Sequence, residues 1–152
     1  MSTLAAVDGA QIAAIAEDVF TALVDGEPGH LWRNEPTASH VLLDPLYAWV
    51  DMHADVSARV VLTLDVATAH DLTRALLRMD DGEPVTGEDL IDAFGEVANV
   101  VGGNLKALLP VQGTLTLPRV DRTAPDLRGA TVVDRAPLAW RGRPLDIAVW
   151  QV

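Results

Sequence analysis

Residues 86–110 read TGEDLIDAFGEVANVVGGNLKALLP. Thr86 followed by Asp89 gives a capping-box-like start, and Pro110 ends the segment near Leu109. With Leu90 set at zero on a wheel of about 100° per residue, Phe94, Val97, Val101, Leu105 and Leu108 fall within about 60° of it. These predict the buried stripe of one long helix. The same stretch carries Gly95, Gly102, Gly103, Asn99 and Asn104. An interior glycine costs a helix about 1 kcal/mol relative to alanine, and asparagine is a mediocre helix former.

Asp92, Glu96, Asn99 and Gly103 cluster near about 200° on that wheel, opposite the apolar stripe. Glu96 and Asn99 stand three residues apart and are therefore neighbours on the helix surface. Gly95 and Gly102 fall on the flank of this polar strip. Solvation alone is the simplest account of a polar face, but Ala, Lys or Gln would serve that end better. Glycines beside a carboxylate and a carboxamide point to close approach by another backbone. Asn104 falls nearer the core side and is expected to bond local backbone.

Moving outward, residues 66–79 predict a short amphipathic helix, with Ala69, Leu72, Leu76 and Met79 on one face. Before it, 58–66 reads as a strand, and 41–54 as another, in which Leu46, Ala48, Val50 and Met52 alternate with Tyr47, Trp49, Asp51 and His53. A turn at Asp55–Ser57 joins the two as a hairpin. Asp8 is placed to cap a first helix carrying Ile12, Ile15, Ala16, Val19 and Leu23 at helical spacing, stopped by residues 25–30. Residues 31–40, with Asn34 and Pro36, read as an exposed connection. After the long helix, 113–120, 129–140 and 143–152 read as strands. The order α-β-β-α-α-β-β-β does not alternate, and predicts an α+β fold: a largely antiparallel sheet with helices packed on it, over a single domain of residues 1–152.

The 152 residues include 22 acidic and 11 basic side chains, a formal charge of −11. Such a surface argues against nucleic acid and anionic membrane as principal partners. Cysteine is absent, which removes disulfides and thiolate metal sites. The first twenty residues lack the basic start of a signal peptide, and no run approaches a membrane span. A cytoplasmic protein is the expectation. Histidines 30, 40, 53 and 70 show no metal-ligand spacing, residues 79–89 lack the ligand pattern of a calcium loop, and no serine stands in a nucleophile elbow.

The segment DAFGEVANVVGGNLK (92–106) resembles the Asp/Ser-x-x-x-Glu-x-x-Asn signature of the CheC/CheX/FliY chemotaxis phosphatases, and most closely CheX, with one such helix per chain. RVVLTLDVATAHDLTRALLRM (59–79) is similar to that family's strand-then-helix segment, and GTLTLPRV (113–120) to its segment with a Leu-Pro step before Val. Lys106 fits the family's Gly-Asn-x-Lys run, whereas residues 79–89 depart from its Met-Leu-Gly-Glu-like junction. The resemblance covers about residues 45–120 well and the two ends in pattern only.

The resemblance implies a protein phosphatase of two-component signalling, a hydrolase acting on the aspartyl phosphate of a CheY-like response regulator. Asn99 would orient the attacking water, and Glu96 would engage the regulator's active-site lysine. Asp92 and Gly103 would contact the partner. It implies no cofactor in this chain, with Mg2+ carried by the phosphorylated partner, and a homodimer joined along a sheet edge. The alternatives are a module that binds a receiver domain or other signalling partner without hydrolysis, and a scaffold whose polar helix face is merely solvated.

Overall fold

The structure is a computed structural model and describes residues 7–34, 42–109 and 112–152. Helix α1, Gly9–Val19, begins at a full capping box: the Asp8 carboxylate accepts from the Gln11 amide, and the Gln11 side chain accepts from the Asp8 amide. Its last turns widen into a π-helical segment, Phe20–Asp25, which Gly26 closes in the left-handed region at φ 73°. Strands β1 (Leu31–Arg33), β2 (Pro45–His53) and β3 (Ser57–Asp65) follow, then α2 (Val66–Leu77) and α3 (Gly87–Ala107). The short strands β4 (Thr114–Leu115) and β5 (Arg119–Asp121) precede the long hairpin β6 (Thr131–Trp140) and β7 (Arg143–Gln151).

The strands form one antiparallel sheet in the order β1-β6-β7-β3-β2-β4, with β5 also paired to β2. The expected α+β architecture, a largely antiparallel sheet with helices packed on it, is the one observed. On β2 the alternation is as read: Leu46, Ala48, Val50 and Met52 are buried, while Tyr47, Trp49 and Asp51 are half-buried on the opposite face. Leu62, Leu64, Leu145 and Ile147 continue the core on neighbouring strands, and α1, α2 and α3 contribute Ile12, Phe20, Leu72, Phe94 and Val101 to it. Each such side chain removed from water stabilises the fold by about 1.5–3 kcal/mol before entropy is counted.

Two local expectations are corrected. Residues 31–33 are not part of an exposed connection but pair with Leu138–Trp140 of β6, burying Leu31 and leaving Trp32 exposed. The expected strand 113–120 is two short strands separated by Thr116–Pro118. Trp140 is among the largest fully buried side chains, packed at 6.0 Å from Phe20 with its indole N–H donating to Asp25. The expected turn at Pro36, strand start at Val41 and helix-ending Pro110 lie outside the described residues.

Candidate functional site on helix α3

Helix α3 starts where Thr86 Oγ1 accepts from the Asp89 amide at 3.1 Å. Glu88 and Asp89 lie in its first turn and Lys106 in its last, so side-chain charges complement the helix dipole at both ends. Phe94, Val97, Val101 and Leu105 are fully buried, as the periodicity predicts. Leu108 departs from the expected stripe: it caps the C-terminal end and is 46% exposed, and Leu109 is buried instead.

The buried face is wider than the apolar stripe. Ala93, Gly95, Ala98 and Gly102 are also inside. A Cβ on Gly102 would stand 2.4 Å from Val50 Cγ2 of β2, closer than any side chain is tolerated. A Cβ on Gly95 would touch Pro118 and Val120 at 3.5–3.7 Å. Gly102 therefore lets α3 lie against its own sheet, and Gly95 is covered by the chain's own Pro118. The expectation that these two clear space for another molecule is overturned. Gly103 differs: among the described residues, an added Cβ there would meet Leu115 Cδ1 alone, at 3.8 Å.

On the opposite side, Asp92 and Glu96 are exposed, and Asn99 and Gly103 are half-buried. All four lie on the outward arc of one straight helix, with the Glu96 and Asn99 Cβ atoms about 5–6 Å apart as i, i+3 neighbours. No hydrogen bond or ion pair among the described residues engages the side chains of Asp92, Glu96 or Asn99. Asn104 is exposed rather than turned toward the core, and its amide donates to the Val100 carbonyl at 2.8 Å, the expected local bond.

One flank of this strip is built by the β4–β5 segment. Leu115 lies beside Gly102 and Gly103, and Pro118 beside Gly95, so residues 115–118 run antiparallel along the helix. Thr116 is fixed to β2 twice: its amide donates to the Asp51 carbonyl at 2.9 Å, and its hydroxyl accepts from the Asp51 amide at 3.0 Å. The Asp51 carboxylate in turn takes a two-pronged contact from Arg59, at 2.7 and 3.0 Å. That hydrogen bond is the main reason the Arg59 guanidinium binds its proton more tightly than usual.

Clefts of about 290 Å3 beside Asp146 and about 560 Å3 beside α2 are not lined by any α3 residue. The α3 strip is an acid-and-amide surface, exposed at Asp92 and Glu96 and half-buried at Asn99 and Gly103. Among the described residues no group of three or more His, Asp or Glu side chains has the arrangement to hold a metal ion.

The sequence profile of the family described as "Chemotaxis phosphatase CheX" matches residues 46–128, more than half of the chain. The protein belongs to the CheX family. Three solved structures share its fold. CheX from Desulfovibrio desulfuricans superposes with a TM-score of 0.69 at 17% identity, covering 93% of this chain and 96% of its own. The CheX–CheY–BeF3–Mg2+ complex from Borrelia burgdorferi gives 0.67 at 16% identity, over 92% and 94%. A chemotactic CheC-like protein from Shewanella oneidensis gives 0.68 at 15% identity, over 100% of both chains. No curated protein matches the sequence. The CheX match encloses β2 through β5, and so takes in α3, the strip and the bordering 115–118 segment together. Among the described residues no helix is long and apolar enough to cross a membrane.

Proposed function

We propose that this CheX family member hydrolyses the aspartyl phosphate of a CheY-like response regulator, with α3 laid against the regulator's phosphorylation site. The observation that carries this reading is the pair Glu96 and Asn99, neighbours on the outward arc of a helix whose other face is locked in the core, with no hydrogen bond or ion pair to their side chains among the described residues. The family is described as a chemotaxis phosphatase, and the Borrelia relative was solved with CheY, BeF3 and Mg2+. In such a complex BeF3 stands for the phosphoryl group, and the Mg2+ in our reading belongs to the regulator.

The chemistry needs little beyond placement. An aspartyl phosphate is an activated anhydride. Water attacks phosphorus in line, the bond from phosphorus to the aspartyl oxygen breaks, and aspartate and inorganic phosphate result. Holding that water in line supplies most of the missing acceleration. The Asn99 carboxamide accepts from the water through its carbonyl and donates to a phosphoryl oxygen through its NH2, adding no negative charge. The Glu96 carboxylate pairs with the regulator's active-site lysine, where negative charge is favourable rather than repelled. Asp92 contacts the partner's periphery, and Gly103 admits its backbone.

The test is loss of phosphate from a phosphorylated CheY-type receiver domain of the source genome. Acceleration by the parent protein, reduced about 100-fold in Asn99→Ala with binding retained, is the expected result. Binding without acceleration by the parent would convert the reading to a sequestering module.

We further assign the homodimer to the outer edge of β6. The β4–β5 edge is interrupted at Thr116–Pro118, whereas Thr131–Ala136 of β6 has no strand partner on its outer side among the described residues. Sedimentation over a concentration series is expected to give twice the 16.2 kDa chain mass; a single chain at every concentration removes this assignment.

A further inference from the structure

The register of β2 against its two edge strands is off by one residue. Trp49 pairs with Arg119, and Met52 pairs with Leu115. Two residues, Val50 and Asp51, lie between the first pair of positions, while three, Thr116, Leu117 and Pro118, lie between the second. The extra residue makes a bulge, and bulges beside functional surfaces re-aim a side chain. Thr116 is held to Asp51 by its two hydrogen bonds, and Pro118 sits next to Gly95 of α3. Leu117, between these anchored neighbours, is 87% exposed. A large apolar side chain is thus held in water at the rim of the Glu96–Asn99 strip. Ile91, one turn before Gly95 on the same flank of α3, is 52% exposed and extends that apolar rim.

We propose that Leu117 is the apolar anchor that seats the receiver domain against α3, with Ile91 beside it; the inference rests on the reading of α3 given above. Charge favours this division of labour. The protein carries a formal charge of −11, and Asp92 and Glu96 lie on the strip itself. A phosphorylated receiver presents carboxylates and a phosphoryl group at the site to be approached. Mg2+ at that site offsets part of the receiver's negative charge, yet Asp92 and Glu96 still face carboxylates and phosphoryl oxygens outside the lysine contact, so desolvated apolar area is the further source of affinity. An exposed leucine on a fixed bulge supplies it with little ordering cost, because its backbone is already set. The arrangement separates holding from reacting: Leu117 grips and Asn99 positions water.

The experiment measures binding of a CheY-type receiver domain, activated with beryllofluoride and Mg2+, together with the kcat and KM for the phosphorylated form. Leu117→Ser is expected to weaken binding and raise KM by about tenfold, with kcat at saturation within about twofold of the parent. Leu117→Met is expected to restore most of the affinity. Thermal stability should not move, since the side chain contributes no core contact, so loss of fold is not confounded with loss of grip. Unchanged affinity in Leu117→Ser, alongside a parent that binds and hydrolyses, overturns the anchor and leaves the phosphatase reading standing. A parent that binds no receiver overturns both. A fall in kcat without a change in KM assigns Leu117 to the chemistry and likewise overturns its role as anchor.

Discussion

Gly102 and Gly103 are adjacent in sequence and opposite in consequence. Gly102 faces β2, where Val50 fills the space a methyl would need; Gly103 faces outward, where a methyl would meet only one leucine atom at ordinary contact distance. The inner flank of α3 is tuned for closeness to its own sheet, and the outer strip is left open. On one side the helix's own packing requires the glycine; on the other no described residue does. That contrast separates a glycine whose replacement strains the fold from one whose replacement the fold accommodates.

The largest effect expected from this contrast is on the outer strip. Asn99→Ala should reduce phosphatase turnover by about 100-fold without lowering Tm, because among the described residues its side chain makes no hydrogen bond and alanine is the better helix former. A Tm loss of several degrees in that variant would mean the strip is structural after all. Next comes the glycine pair. Gly102→Ala should destabilise by about 1–3 kcal/mol through overpacking against Val50, a β-branched residue with little rotamer freedom, lowering Tm by about 2–10 °C. Gly103→Ala should instead raise Tm slightly, by the helix propensity it restores, about 0.8–1 kcal/mol. Opposite shifts in these neighbours sharpen the comparison; losses in both would erase it.

The smallest effect concerns Asp146 of β7. It is half-buried, and loss of hydration holds its carboxyl above the usual range, with Arg135 opposing the shift. The folded state then keeps its proton to a higher pH than the unfolded chain. Stability from this group is greatest at low pH and declines as pH rises from about 4 through the folded-state value. Asp146→Asn should therefore raise Tm modestly at about pH 7, with the gain fading toward about pH 4. A gain that grows on acidification would contradict the sign.

Much of this was legible beforehand where local pattern and tertiary demand agree. The period of two in Leu46–Met52 and the period near 3.6 in Leu90–Leu105 each identify one buried face, and both faces are observed. Asp8 and Thr86 state their helix starts through side chains that can reach only nearby amides. What sequence could not supply was what stands on the other side of a contact. Leu31–Arg33 is a strand only because β6, a hundred residues later, offers its edge. Gly102 looked like space for a visitor because nothing nearby in sequence announces Val50. The candidate site was legible to the extent that a wheel places Glu96 and Asn99 together and outward. Leu117 was hidden inside a run that reads as continuous strand, although the proline after it marked where pairing must fail.

Strand β7 lies between β6 and β3 near the middle of the sheet, though it is built from residues 143–151. Its pairing with β3 joins Leu64 to Leu145 and Ala58 to Gln151, separations that a chain must search for rather than meet locally. During synthesis α3 emerges some forty residues before that strand, onto a half-sheet of β2 and β3 with one side bare. The sheet on which α3 rests is thus completed only when β7 is set between β6 and β3.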